Sequence, residues 1–313
     1  MPSAQRTSPL PLPQRDGVGP SCVVLPPEPR WPTILDFLCE RFAAIPRATW
    51  QARMRQGEVM DEHGCALDAS RAYAPRLRIY YYRAIEAEPE PPFVEEILFQ
   101  DDQLLVADKP HFMPVTPTGR YVQQSLLVRL RRRTGIETLA PLHRIDRETA
   151  GLVLFSVAPT QRAAYSALFA ERAVRKHYEA IVPWDGSRTL PALRESRIEP
   201  DTHFMRMREA EGAPNALTRF ELLEARGGWA RIGLQPSTGR RHQLRVHCEA
   251  LGMPILNDAI YPRLLPDDPP AFDRPLQLLA RAIGFRDPVT GEERQFESRR
   301  ALALPDPIRR GAT

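Results

Sequence analysis

"PLHRIDRETAGLVLFSV", residues 141–157, sets a histidine, two arginines and two carboxylates directly ahead of an unbroken apolar run. The run from Gly151 to Val157 is short and rich in Val, Leu and Phe, which predicts a strand buried on both faces. Asp146 therefore lies at the mouth of a buried strand. A carboxylate there is partly dehydrated and must be paired or hydrogen-bonded, or it takes up a proton. Two readings of the stretch are open: a polar turn with local ion pairs, or a mount for a reactive carboxylate that a cation keeps ionised. In an extended segment Arg144 projects to the same side as Asp146, and Arg147 to the other.

Two later clusters bear on that choice. "STGRRHQLRVH" (237–247) predicts a helix opened by Ser237–Thr238–Gly239, with His242 and Arg245 one turn apart on one face. Leu244, Cys248 and Leu251 form its buried stripe. A helix start with Arg240 and Arg241 beside it suits a phosphate. Arg245, one turn deeper, is better placed to meet a buried carboxylate; a merely solvated basic helix is the plainer alternative. In "RKHYEAIV" (175–182) strand periodicity puts Lys176 and Tyr178 on one face and His177 on the other. An aromatic ring on a basic strand suits base stacking, although Tyr178 is equally read as an ordinary core aromatic.

Bulk composition excludes more than it identifies. The chain has 313 residues, 42% hydrophobic and 26% charged, which suits one large or two modest soluble domains. Net charge is only +4, so charge alone does not mark a nucleic-acid binder. Of 43 basic residues just two, Lys109 and Lys176, are lysines, so these two positions are candidates for a compact ammonium rather than a planar fork. Cys22, Cys39, Cys65 and Cys248 are scattered, with no CxxC pair and no His at ligand spacing, so no metal site is expected. No stretch reads as a signal peptide or a membrane span. A reduced, cytoplasmic monomer is the expectation.

Along the chain, residues 1–30 are rich in Pro, Ser and Gly and read as a disordered tail. Residues 31–85 read as a small module: helices in "PTILDFLCERF" and "RATWQARMRQG", then a hairpin from "EVM" through "DEHG" to "LRIYYYR". "EAEPEPP" (86–92) reads as a linker. From 93 to 305, strands mix with few helices. Strands are predicted at "EILFQ", "QLLVADK", "GLVLFSV", "HYEAIV", "LTRFELLE", "WARIGLQP" and "LQLLARAIGF", the last closing as a hairpin with "RQFES". Helices are predicted at "YVQQSLLVRLRRRTG", with Arg129, Arg132 and Arg133 on its outer side, and at "QRAAYSALFAE" after a Thr160 cap. Irregular alternation and frequent hairpins indicate α+β with a mixed, largely antiparallel sheet.

In this order, "HRIDRETAGLVLF" resembles the HRLDxxTSGLLL signature of the RluA-type RNA pseudouridine synthases, and "RKHYEAIV" their KxYxAxV segment. "TGRRHQLRVHCEALGMPILND" resembles their TGRxHQIRxHxxxxGxPIxGD segment, and "LLVADKP" and "LLARAIGF" also fit. The likeness runs from about 93 to 300. It departs at Ile145 for Leu, Ala150 for Ser, Asn257 for Gly, and Pro262 where Gly usually follows the Tyr. The resemblance implies isomerisation of a uridine in RNA to pseudouridine, without cofactor or metal. It implies that Asp146 is the catalytic nucleophile or base, that Arg245 pairs with it, and that Tyr178 packs on the target base. Arg144 would fill the gap left by a flipped uridine; Arg240, His242 and Lys176 would contact RNA or support the site. The 31–85 module faintly resembles an S4-type RNA-binding domain, without that domain's usual Gly-Asp.

The implied partner is RNA: 23S ribosomal RNA first, transfer RNA next, with "FMRMRE" (Arg206, Arg208) and the 129–133 arginines extending the footprint. Two other functions compete. A non-catalytic RNA-binding module of the same fold predicts loss of Asp146, Tyr178 or Arg245, and all three are present. A glycosidase needs a second carboxylate suited to acid work; Glu148 is the near candidate and is expected on the outer side of the turn.

Overall fold

The computed structural model describes residues 12–83, 88, 90–187, 189–266 and 271–306. In chain order the elements are β1 (Ser21–Val24), α1 (Ile34–Arg41), α2 (Arg47–Arg55), β2 (Val59–Asp61), β3 (Arg78–Tyr81), β4 (Glu96–Gln100) and β5 (Leu104–Lys109). There follow α3 (Leu126–Thr134), β6 (Ala140–Pro141), β7 (Ala150–Ser156), α4 (Arg162–Ala170), β8 (Arg175–Pro183) and β9 (Leu193–Pro200). The remainder are β10 (Met207–Ala210), β11 (Ala216–Arg226), β12 (Trp229–Pro236), α5 (Gln243–Ala250), β13 (Leu278–Arg286) and β14 (Glu293–Glu297). No helix among the described residues is long and apolar enough to cross a membrane. The chain divides into two compact units, Met1–Glu88 and Pro89–Thr313.

In the first unit α1 and α2 pack on a three-stranded sheet of order β1-β3-β2. Thr33 and Asp36 form a capping box at the start of α1, and Ile34, Leu38, Trp50, Val59 and Ile79 fill the core. The reading of residues 1–30 as a disordered tail is corrected from residue 12 onward. β1 pairs with β3 in register Ser21↔Tyr81 to Val24↔Arg78, Leu25 is buried, and the Tyr82 hydroxyl donates to the Pro13 carbonyl. The prolines that suggested disorder, at 20, 26 and 27, flank this strand rather than interrupt it, so they cost no ladder hydrogen bond. The expected β2–β3 hairpin is also one of two pairings in a three-stranded sheet, with β3 in the middle. Residues 1–11 of the tail and 86, 87 and 89 of the linker lie outside the described residues.

The second unit is built on an eleven-stranded sheet of order β10-β9-β11-β12-β8-β13-β7-β5-β4, with β14 on β13 and β6 on β7. Its pairings are antiparallel except β7 with β13, so the sheet is mixed and largely antiparallel. β7 is buried along its whole length. Val153 and Phe155 meet α3 on one face; Leu152 and Leu154 meet α4 on the other. α5 packs Leu244 and Cys248 against β12 and β8. Two boundaries differ from expectation: α3 begins five residues later than the apolar spacing implies, and Gln161 rather than Thr160 stands at the N-cap of α4. Gly135 ends α3 in the left-handed conformation. Gly151 is where the chain enters the centre of the sheet. Its φ is +109°, and a Cβ there would lie 2.3 Å from the Ala280 carbonyl oxygen across the parallel β7/β13 pair.

Candidate active site

The hairpin loop between β6 and β7, residues 142–149, carries Asp146. Arg245, on the first turn of α5, donates from Nη1 to Asp146 Oδ2 at 3.1 Å across 99 residues of sequence. The same guanidinium grips Asp258 with its other edge, Nε to Oδ2 at 2.8 Å and Nη2 to Oδ1 at 2.6 Å. Asp258 is itself fixed by the backbone N–H groups of Ile260 and Tyr261, at 2.8 and 3.1 Å. Burial opposes the charge on Arg245, but Asp258 first and Asp146 next outweigh it and raise its pKa. The guanidinium therefore stays charged, and Asp146 is the more exposed of its two carboxylates, at 27% against 1%. One carboxylate holds the arginine; the other is held by it and faces the cleft. Sequence reasoning missed Asp258, although a buried arginine needs more acceptors than one carboxylate supplies.

Beneath the loop lies Lys109, fully buried at the end of β5. Its ammonium donates to the carbonyls of Pro110 (2.9 Å), Met113 (2.7 Å) and Arg147 (3.1 Å), the last adjacent to Asp146. Burial draws its pKa down to about 7, against the pull of Glu148 and Asp146. Three converging carbonyls match three N–H bonds, which a neutral amine lacks and a planar guanidinium cannot aim. This is one lysine whose retention among so many arginines has a geometric reason. Glu148, expected on the outer side of the turn, is instead half-buried and paired with Arg147 at 2.6 Å. Burial works to raise its pKa, but Arg147 and Arg245 prevail and hold it below the usual range. An ionised Glu148 is no general acid, which removes the second carboxylate a glycosidase needs.

Two histidines brace the same loop. His143 Nε2 accepts from the Leu154 N–H at 3.1 Å and stacks on Phe169; His111 Nδ1 meets the Glu148 carbonyl at 2.6 Å. Burial lowers the pKa of His143 to about 3 and that of His111 to about 4, and His247 on α5 also falls to about 4. Unfolded histidine binds a proton near pH 6.5, whereas these three bind theirs only well below it. Their contribution to stability is thus complete above about pH 6.5 and is lost as pH falls toward 4. Stability measured by denaturant unfolding should drop steadily through that window. His143→Gln should flatten the slope by up to about 1.4 kcal/mol per pH unit; an unchanged slope would mean that His143 is not held neutral.

The other expected site residues converge on the same place, with differences. His242 is 3.9 Å from Asp146 through Nε2 and 3.1 Å from the Tyr261 hydroxyl through Nδ1. Burial lowers its pKa, against Asp146, which raises it. Tyr178 lines the cleft from β8; burial, then the Asp146 charge, raises its pKa, so the phenol keeps its proton. Lys176, one of the expected RNA contacts, donates to the Thr238 carbonyl at 3.0 Å and so ties β8 to the turn before α5. Arg144 is exposed at the cleft, and Arg240 is exposed with Nε on the Asn215 carbonyl at 3.2 Å. The helix does not open at Ser237. It starts at Gln243, with His242 as N-cap at φ +55°, because the Gln243 side chain takes the Arg240 N–H (3.1 Å) and the Thr238 hydroxyl (2.7 Å) in place of a helical turn.

The cleft holds about 950 Å³, at the upper end for small-molecule sites. Six arginines (144, 147, 172, 240, 241 and 245) and Lys176 line it, and among the described residues Asp146 is the one carboxylate in that lining. A net charge of +4 conceals this concentration of positive charge around a single acid. Of the wider basic footprint expected from sequence, Arg129 pairs with Glu95, Arg206 with Asp201, and Arg208, which stays exposed, with Glu199.

Residues 103–250 match the family model described as RNA pseudouridylate synthase. The chain is 33% identical to the dual-specificity RNA pseudouridine synthase RluA of Pasteurella multocida, over 67% of this chain and 94% of that one. It is 30% identical to an uncharacterised RNA pseudouridine synthase of Synechocystis, over 73% of this chain and 79% of the relative. Among solved structures, human RNA pseudouridylate synthase domain containing 1 shares the fold, with a TM-score of 0.53 and 24% identity over 68% of this chain and 86% of that one. With a mixed sheet of this kind and relatives of this identity and coverage, the chain belongs to the RluA-type RNA pseudouridine synthase family and is an isomerase.

Proposed function

We propose that the cleft isomerises an unpaired uridine in RNA, with Asp146 as the carboxylate that acts on the flipped nucleotide, as nucleophile or as base. The observation that carries the proposal is a carboxylate, gripped by a buried arginine, in a cleft whose other charged lining residues are cations. The C1′–N1 bond breaks, the base turns, and a C1′–C5 bond forms; C5 loses a proton and N1 gains one. A stacked uridine cannot present C1′ to a carboxylate in a cleft, so the nucleotide must leave the stack. Arg144, exposed at the mouth, is suited to fill the gap. Tyr178, its phenol protonated, is suited to pack on the base, and it relays the C5 proton only by releasing its own hydroxyl proton in the same step. Arg240 and Arg241 offer guanidinium groups to the backbone, so binding should weaken steeply with salt.

The first substrates to try are 23S ribosomal RNA and then transfer RNA. The purified chain should release tritium from unmodified transcripts labelled at uridine C5 and leave pseudouridine in the product. Tight binding without tritium release from either RNA would favour a binding module of the same fold.

A further inference from the structure

The loop between β9 and β10, residues 201–206, projects one aromatic side chain into solvent. Phe204 is 78% exposed, the only aromatic among the exposed large hydrophobics of the described residues. Isolated exposed apolar side chains are ordinary, but this one is held in a built arrangement. Its ring stacks on His203, centroids 5.0 Å apart and planes inclined by 27°. His203 Nδ1 accepts from the Met205 N–H at 3.3 Å, and the Arg206 N–H donates to the His203 carbonyl at 2.9 Å. Arg241, a wall of the cleft, reaches over to donate to the carbonyls of Phe204 and Met205, both at 3.0 Å. Arg206, within the loop, lies over the Tyr261 ring and donates to the Pro262 carbonyl at 2.7 Å. The loop is thus tied down at two points, one of them by an arginine of the cleft wall.

We propose that Phe204, backed by His203, is a stacking platform for an unpaired nucleobase of the RNA beside the flipped uridine. Its ligand follows from the RNA-modifying function proposed above. An exposed aromatic pair on a loop whose backbone is held by an arginine of the cleft wall presents a π-face beside positive charge, the chemistry that suits a base displaced from its stack on a polyanionic strand. Having no sequence-reading hydrogen bonds, the platform contributes affinity and orientation rather than base identity.

The test uses unmodified 23S ribosomal RNA and transfer RNA transcripts, followed by filter binding and by the rate of pseudouridine formation against RNA concentration. Phe204→Ala and Phe204→Leu should each weaken binding and raise the half-saturating RNA concentration roughly tenfold, while Phe204→Tyr stays at wild type. The saturated rate should remain within about twofold, because the platform lies outside the reacting centre. Wild-type binding by Phe204→Ala, or by Phe204→Leu, overturns the platform. A wild-type chain that binds the transcripts but forms no pseudouridine refutes the synthase function alone, and the binding comparison still decides on Phe204. A wild-type chain that binds neither transcript overturns both.

Discussion

Asp146→Asn should abolish pseudouridine formation, lowering the single-turnover rate by at least about 10⁴-fold, while RNA binding and folding survive. An amide can neither attack a carbon centre as a carboxylate does nor accept the proton that a base removes. Folding should survive because Arg245 keeps its bidentate partner, Asp258, when the Asp146 charge is lost. The measurement is tritium release at saturating enzyme beside a binding isotherm for the same RNA. Loss of binding in parallel with activity would mean that Asp146 holds the RNA rather than transforms it.

Arg245→Lys should reduce the rate by about 10²- to 10³-fold with little change in RNA affinity, because it alters a group that positions the reacting carboxylate. Lysine keeps the charge but is a single point, and it cannot hold Asp258 bidentately while reaching Asp146. Arg245→Met is a different lesion: it leaves Asp258 buried and uncompensated, at a cost of about 3–5 kcal/mol in stability. Comparing the two by chemical denaturation and by turnover separates positioning from folding. A fully active Arg245→Lys enzyme would show that the fork geometry is dispensable.

Strand β7 was legible in the sequence because it is buried on both faces, so its short run rich in Val, Leu and Phe is unbroken and bounded by a charged turn. Helix position marked Arg245 as suited to a buried carboxylate, but only motif resemblance named Asp146 as its partner, since periodicity is silent about a contact spanning 99 residues. Strands β9 and β10 escaped notice because they pair through charges, Arg194 with Glu209 and Arg208 with Glu199, so their faces lack the apolar alternation by which strands are recognised. β1 was hidden by its prolines. Asp258, and the role of Lys109, were not legible for a related reason: each works through backbone groups or another side chain, and their value emerges only once the loop, the sheet end and α5 are stacked together. Lys109 left a trace in composition, as one of two lysines in an arginine-rich chain.

The proposed function rests on one carboxylate poised by a buried arginine in a cationic cleft, and the most direct test is made on cellular RNA. Pseudouridine should be mapped across total RNA from cells lacking the gene, and from the same cells carrying wild type or Asp146→Asn. The account predicts at least one uridine that stays unmodified in the deletion and in the mutant and is modified again by wild type. A mutant that restores the mark as fully as wild type does would contradict it.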